Sequence, residues 1–175
     1  AFADRWWWAG LLAALGVAGN HIADVLDGTH ARATGQCRNG GELLDHFVDP
    51  LSFSYWIAAL SFCADALLLG IGGVIVIYAT AVLTNIKAKM VGEFTLSRFG
   101  PTEFKTLLAT FSLVEAGTTA GWWLASLSTP ALAYWFVLIL FVGSVPQLLK
   151  NVWKAVREVN QAGVPPDTTE WESGE

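Results

Sequence analysis

The feature that most constrains this chain is a set of long apolar runs that contain almost no charge. The runs cover residues 6–25, 51–86, 106–127 and 131–149. A helix of about 20 residues crosses the roughly 30 Å hydrocarbon core of a bilayer. Only 14% of the residues are charged, against about 25% in a typical soluble domain. The sequence therefore predicts an all-α, polytopic membrane protein with four transmembrane helices.

The second run is longer than one span needs, and two interpretations are open. One is a single long helix over residues 51–86 that projects beyond the bilayer, and the other is two pieces that break near Gly70, Gly72 and Gly73. The single helix is preferred, because the stretch lacks the turn signals that a connection between two spans needs. We expect one transmembrane domain over residues 1–163 and a flexible acidic tail over residues 164–175.

The distribution of Lys and Arg predicts the orientation, because cytoplasmic loops carry an excess of both. With the N-terminus in the cytoplasm, all of the 10 Lys and Arg residues except Arg32 and Arg38 fall on the cytoplasmic side of four spans. This count predicts that both termini are cytoplasmic. It also predicts an external loop over residues 26–50 and a cytoplasmic loop over residues 87–105.

Apart from Asp24 at the end of the first run, two acidic residues fall inside the predicted spans, where a charge is costly. Asp65 is expected near the outer interface and Glu115 near the middle of the membrane. Ser112 and Thr119 share a helical face with Glu115, and no cation is predicted at that depth, so we expect a neutral carboxyl group. Its role is then either a proton or cation relay or a structural hydrogen bond.

A group of small residues follows Asp65 and favours close helix packing. Ala66, Gly70, Gly72 and Gly73 leave space for the backbone of a second helix. The partner helix belongs either to the same chain or to a neighbouring one. Helix packing is preferred over a ligand at this surface, because such patterns are common in membrane helices.

The predicted external loop and the end of the first span are rich in residue types that bind metals. His21, Asp24, His30 and His46 are the candidate ligands, and Asp27, Cys37, Glu42, Asp45 and Asp49 lie in the same region. The chain has no HExxH, CxxC or EF-hand pattern. A solvated acidic loop therefore explains these residues without a metal, and a metal site is the alternative.

The second and third runs resemble the YqhA-type family of small bacterial inner-membrane proteins. The matching stretches are SFCADALLLGIGGVIVIY, with an Asp ahead of a long apolar run, and FGPTEFKTLLATFSLVEAG, where a Phe-Lys pair opens the next span. The resemblance covers residues 51–150. It implies four helices and a location in the bacterial inner membrane, and it implies no catalytic residue.

Three functions compete on this evidence. The preferred one is a non-enzymatic membrane subunit, in contact with the lipid bilayer, that packs into a homo-oligomer or a larger complex through its Gly-rich helix. The alternatives are a proton or ion channel or transporter that uses Glu115, and a membrane protein with an external metal or redox site. The net charge of −5 argues against nucleic-acid binding. The sequence identifies no cofactor, although lipid, quinone or pigment could contact its Trp-rich surfaces.

Overall fold

The protein folds as five α-helices. The computed structural model describes residues 6–92, 100–123 and 126–163, and it describes Asn39, Glu42 and Asp45 by their backbone only. No strand occurs within these ranges, so the predicted all-α class is confirmed. The predicted acidic tail, residues 164–175, lies outside the described residues. The helices are α1 (Trp7–Thr34), α2 (Asn39–Cys63), α3 (Leu67–Val91), α4 (Pro101–Thr119) and α5 (Thr129–Ala162).

Three of these helices, α1, α3 and α5, are long and apolar enough to cross a membrane. The four spans predicted from the sequence are therefore not reproduced as such. Many of the large apolar side chains of α3 and α5 are exposed on the protein surface, as lipid-facing side chains would be.

The predicted external loop is mostly helix. α1 continues to Thr34 and ends at Gly35, which has φ +68° and donates its N–H to the carbonyl of Ala31. α2 then begins at Asn39, so only residues 35–38 connect the two helices. The polar residues of this region misled the prediction, because a helix that leaves the membrane can continue with a polar sequence.

The stretch predicted as one long helix over residues 51–86 is divided in two. The break is at Asp65, which has φ +52°, and not at the glycines. Asp and Asn are the residues other than Gly that most often adopt this left-handed conformation. The N–H of Ala66 donates to the carbonyl of Ser61 across the turn, at 2.9 Å. Asp65 is therefore an exposed turn residue between α2 and α3 rather than a charge within a helix.

The division at Asp65 reverses the direction of the chain, so that the five helices alternate in direction. α1 packs against α4, α2 against α3, and α3 against α5, with smaller contacts between α2 and α5 and between α4 and α5. Side chains from α1, α2, α4 and α5 form the buried core. They are Val17, Ile57, Phe104, Leu108 and Val137.

The glycines of α3 make close contacts with its neighbours. A Cβ atom on Gly70 would lie 2.5 Å from the side chain of Ser61 in α2, and one on Gly73 would lie 2.9 Å from Ile57. A Cβ atom on Gly72 would lie 2.8 Å from the ring of Phe141 in α5. Ala66, the remaining member of the predicted set, precedes the first turn of α3.

The two ends of the bundle differ in chemistry. At one end α1 and α5 begin, and the rings of Trp7 and Trp122 lie 6.2 Å apart; we call it the tryptophan end. At the other end α1, α3 and α5 finish and α2 and α4 begin; we call it the basic end. All Lys and Arg side chains of the described residues lie there: Arg32, Arg38, Lys87, Lys89, Lys105, Lys150, Lys154 and Arg157.

This arrangement corrects the predicted topology. Residues 26–50 and 87–105 were expected on opposite sides of the membrane, yet Lys105 contacts both Asp24 and Asp49. The start of α1 and the end of α5 lie at opposite ends of the bundle, whereas both termini were expected on one side. The error follows from the missed turn at Asp65, because one uncounted reversal moves every earlier segment to the other side.

Candidate active site at the basic end

The centre of the candidate site is a buried lysine between two carboxylates. The Nζ atom of Lys105 lies 3.0 Å from Oδ2 of Asp24 and 3.1 Å from Oδ1 of Asp49. Lys105 comes from α4, Asp24 from α1 and Asp49 from α2, so three helices meet at one ammonium group. Lys105 is only 4% exposed, and a buried charge of this kind requires such partners.

The start of α4 fixes the position of Lys105. The helix begins at Pro101, whose ring suits the first turn, and the N–H of Gly100 donates to the carboxylate of Glu103 at 2.9 Å. Bonds from the backbone N–H groups of Glu103 and Gly100 hold the pKa of Glu103 below its ordinary value. Glu103 therefore stays ionised and keeps the helix start in place at neutral pH.

Lys105 is charged at neutral pH. Burial on its own lowers the pKa of this lysine, but its hydrogen bonds to Asp24 and Asp49 and their negative charges outweigh that effect. The net result is a pKa above the ordinary value. The site therefore contains a charged lysine between two carboxylates.

Each of the two acidic helices carries a second carboxylate one turn away. Asp27 follows Asp24 by three residues on α1, and Asp45 precedes Asp49 by four on α2. Residues at these spacings share a helical face. Asp27 is exposed, and the backbone alone is described for Asp45. The sequence thus places two acidic residues at the site end of each helix.

The predicted metal ligands are not assembled into one cluster. Asp24 and His46 line the same cavity, whereas His30 is exposed and the Nδ1 atom of His21 is buried without a hydrogen-bond partner. Among the side chains that are described, no three His, Cys, Asp or Glu residues are close enough together to hold a metal ion. The carboxylates that do converge, Asp24 and Asp49, converge on Lys105.

A cavity of about 430 Å³ opens beside the two carboxylates. Its wall at the basic end is polar and includes Asp24, Asp49 and Asn85. Deeper in the bundle the wall is apolar, and rings of Phe53 and Phe104 lie 4.5 Å apart within it. The other apolar lining residues include Ile57, Val76, Ile77, Val137, Leu140 and Phe141. The cavity therefore suits a molecule with a charged group and an apolar part.

The two predicted intramembrane acids lie away from this site. Glu115 is buried on α4, 7% exposed, nearer the tryptophan end. The hydroxyl of Ser112 donates to the carbonyl of Leu108 at 2.9 Å, so its proton is used within the helix rather than by Glu115. Asp65 lies in the turn at the tryptophan end. Neither residue lines the cavity at the basic end.

The fold and the site define an all-α membrane protein with a buried, charged cleft at one end. A family model for CDP-alcohol phosphatidyltransferase matches residues 1–143. This match covers most of the 175 residues, so the chain belongs to the CDP-alcohol phosphatidyltransferase family. Comparisons with curated proteins and with solved structures gave no match.

The family corrects several predictions from the sequence. Its members are integral membrane enzymes that transfer phosphoalcohol groups, so the resemblance to YqhA-type proteins was wrong. The expectation of a non-enzymatic subunit was wrong for the same reason, and neither alternative, a channel or an external metal or redox site, is supported. The expectation of contact with lipid is confirmed. The homo-oligomer and the bacterial inner membrane stay predictions.

Sequence reasoning underused one available signal. Two pairs of aspartates at helical spacing, Asp24 with Asp27 and Asp45 with Asp49, occur within one short stretch. Because that stretch was interpreted as a loop, the spacing carried little weight, and Asp49 was not chosen as a site residue. Lys105 was counted as a loop charge and as half of the Phe-Lys pair in the resemblance, but not as a site residue. Nothing local in its sequence separates it from the other lysines, so only the packing of α4 on α1 reveals its role.

Proposed function

We propose that this protein is a membrane-embedded transferase that moves a phosphoalcohol group from a CDP-alcohol to the hydroxyl group of a second alcohol. The family match supports this reaction class. The observation that carries the proposal is the convergence of Asp24 and Asp49 at the mouth of a cavity that is polar at one end and apolar at the other.

The reaction exchanges one phosphorus–oxygen bond for another. The acceptor hydroxyl oxygen attacks the phosphorus atom that carries the donor alcohol, and the bond from that phosphorus to the bridging oxygen of the diphosphate breaks. CMP leaves with the bridging oxygen, and the acceptor loses its proton. Asp24, Asp49 and His46 line the cavity and are bases that can receive this proton.

The donor diphosphate and the carboxylates are all anions, so their approach requires additional positive charge. The residues fit a divalent cation: carboxylate oxygens are the ligands that Mg²⁺ and Mn²⁺ prefer, and Asp24 and Asp49 already converge on one cation, Lys105. Asp24 and Asp49 would hold it. When bound, such an ion neutralises the phosphate oxygens and makes the phosphorus easier to attack.

The apolar depth of the cavity supports a lipid substrate. Alkyl chains among Ile57, Val137 and Phe141 would be removed from water while the phosphate stays with the carboxylates. A site that holds alkyl chains at one end and a phosphate group at the other agrees with the role of the family in phospholipid synthesis. A purely water-soluble pair of substrates would gain nothing from these side chains.

The charge distribution supports an orientation with the basic end in the cytoplasm. Lys and Arg favour the cytoplasmic side of membrane proteins, and all the described ones lie at that end. A nucleotide-linked substrate is charged and water-soluble at its nucleotide, so it would then reach the site from the cytoplasm.

The test is CMP release by the purified full chain in lipid nanodiscs with Mg²⁺ or Mn²⁺. Two donor types are compared: CDP linked to diacylglycerol, with small alcohols as acceptors, and CDP linked to a small alcohol, with diacylglycerol as acceptor. We expect CMP and a new phospholipid with one donor type and loss of both products in Asp49→Asn. The absence of CMP with every donor and acceptor combination, from protein that is folded, would contradict the proposal.

A further inference from the structure

We propose that Lys105 is the positioning residue of the candidate cation site: its ammonium group holds the carboxylates of α1 and α2 at the spacing at which they bind a divalent cation. This inference rests on the proposed function, because it concerns the same carboxylates. It assigns to Lys105 a role in the shape of the site rather than in contact with the reacting atoms.

The first argument is the packing of the helices. α1 packs on α4, and α2 packs on α3 and α5, but α1 and α2 make no extensive contact within the described part of the chain. The helices that carry Asp24 and Asp49 therefore pack against other helices much more than against each other. Lys105, on α4, contacts an acid from each.

The second argument is how the carboxylate oxygens are used. The ammonium group of Lys105 contacts Oδ2 of Asp24 and Oδ1 of Asp49. The other oxygen of each carboxylate takes no part in these two contacts. Carboxylates that bind metals are commonly held in place by hydrogen bonds of their own. Without the ammonium group the two anions would repel each other, and the helices could separate.

The third argument is that Lys105 is itself well placed to act as a fixed point. It is buried, its Nζ atom lies 6.0 Å from the centre of the Phe53 ring, and the start of α4 is held by the bond between Gly100 and Glu103. A mobile surface lysine could neutralise the acids but could not set the distance between them.

A competing role gives the opposite result. If Lys105 merely occupied the position of the divalent cation, its removal would free the carboxylates and strengthen cation binding. If Lys105 positions the carboxylates, its removal weakens binding. The sign of the change in affinity therefore separates the two roles.

The experiment measures Mn²⁺ binding by electron paramagnetic resonance on the full chain in nanodiscs. We expect the dissociation constant of Lys105→Met to be about 10- to 100-fold higher than that of the wild type, as for other residues that support metal ligands. Lys105→Arg, which keeps the charge and the donors, should recover most of the affinity. The matched control is Lys87→Met, which removes the same charge from an ion pair with Glu158 at the same end; we expect little change.

A second measurement follows the helices directly. Spin labels at Thr29→Cys on α1 and Leu43→Cys on α2, both exposed sites, are placed in a chain with Cys37→Ser and Cys63→Ser. We expect the distance distribution between the labels to broaden in Lys105→Met without Mn²⁺ and to narrow again when Mn²⁺ is added. CMP release by this variant should recover at high Mn²⁺, because the defect is in binding the ion.

If Lys105→Met binds Mn²⁺ as tightly as the wild type or more tightly, the inference about Lys105 is overturned. In that case CMP release by the wild type still supports the proposed function. A wild-type protein that neither binds Mn²⁺ nor releases CMP would overturn both. Should Lys105→Met fail to fold, Lys105→Gln replaces it, since the amide keeps a hydrogen-bond donor but carries no charge, and the same fall in affinity is expected.

Discussion

Asp65 connects α2 to α3 with a backbone φ of +52°, and its side chain is exposed. A left-handed conformation costs an ordinary L-residue about 1–2 kcal/mol, and a β-branched residue suffers most. Because the side chain of Asp65 is exposed, a substitution there removes no buried contact. Its effect on stability depends mainly on how well the new residue tolerates a positive φ. This position is therefore a sensitive test of the turn that divides the predicted long helix.

We predict that Asp65→Val lowers the free energy of unfolding by about 1–2 kcal/mol, because Val does not tolerate a positive φ. Asp65→Gly should stay within about 1 kcal/mol of the wild type, because Gly adopts this conformation freely. Thermal unfolding in detergent, followed by Trp fluorescence, measures both. Ala64→Val, one residue earlier at φ −80°, is the control. If Asp65→Val is as stable as the wild type, residue 65 does not have the positive φ described for the turn between α2 and α3.

The residues of the site could be predicted from the sequence only in part. Asp24 and His46 were proposed as ligands on their chemistry, and both line the cavity. His21 and His30 were proposed on the same grounds, but they do not join it. Residue type marks the chemistry a side chain can perform, but only helix direction and packing decide which side chains meet. Lys105 shows this most clearly, since its partner Asp24 lies 81 positions earlier in the chain.

At the scale of the helices, the apolar runs predicted where helices lie but not where they end. The run at 106–127 overlaps α4 but continues beyond its end at Thr119, and the run at 131–149 lies within α5, which continues to Ala162. Hydrophobicity ends where the membrane ends, but a helix ends where its backbone is capped or turns, and residues such as Gly35 and Asp65 carry a weaker signal. The second run was therefore located correctly, but the single helix preferred for it was wrong, because the chain turns at Asp65.

The contact between α1 and α4 determines whether Asp24 reaches Lys105. At the tryptophan end this contact depends on Gly10: a Cβ atom there would lie 2.7 Å from the carbonyl oxygen of Ser112 and 2.9 Å from the Cβ atom of Ala116. The Ser112 carbonyl belongs to the helix backbone and cannot move aside as a flexible side chain could. Small residues allow this close approach of two helices in a membrane.

We predict that Gly10→Ala destabilises the protein by about 1–3 kcal/mol, the usual cost of overpacking. Gly16→Ala is the matched control, because it lies on the same helix with no atom within 4 Å of the added Cβ; the higher helix propensity of Ala should raise stability by about 0.5–1 kcal/mol. Unfolding in detergent measures both. If the two variants have the same stability, α1 does not approach α4 as closely as described.

At the scale of the whole molecule, the reversal at Asp65 brings the acidic pairs, Lys105 and the other described Lys and Arg residues to one end of the bundle. Among the described residues, the charge rule that gave the wrong topology with four spans agrees with the five-helix arrangement, since Arg32 and Arg38 now lie at the same end as the other described Lys and Arg residues. The rule was sound, and the number of chain reversals to which it was applied was wrong.

We predict that the connection between α1 and α2 and the end of α3 lie on the same, cytoplasmic, side of the membrane. Cys37, exposed between α1 and α2, and Met90→Cys, exposed near the end of α3, are each tested as the sole cysteine, in a chain with Cys63→Ser. A membrane-impermeant maleimide should label both in inverted vesicles and neither in intact cells. Ser126→Cys, between α4 and α5 at the tryptophan end, is the control and should show the reverse. Because Lys105 joins Asp24 to Asp49, labelling of Cys37 and Met90→Cys from opposite sides is incompatible with this site and with the five-helix arrangement that forms it.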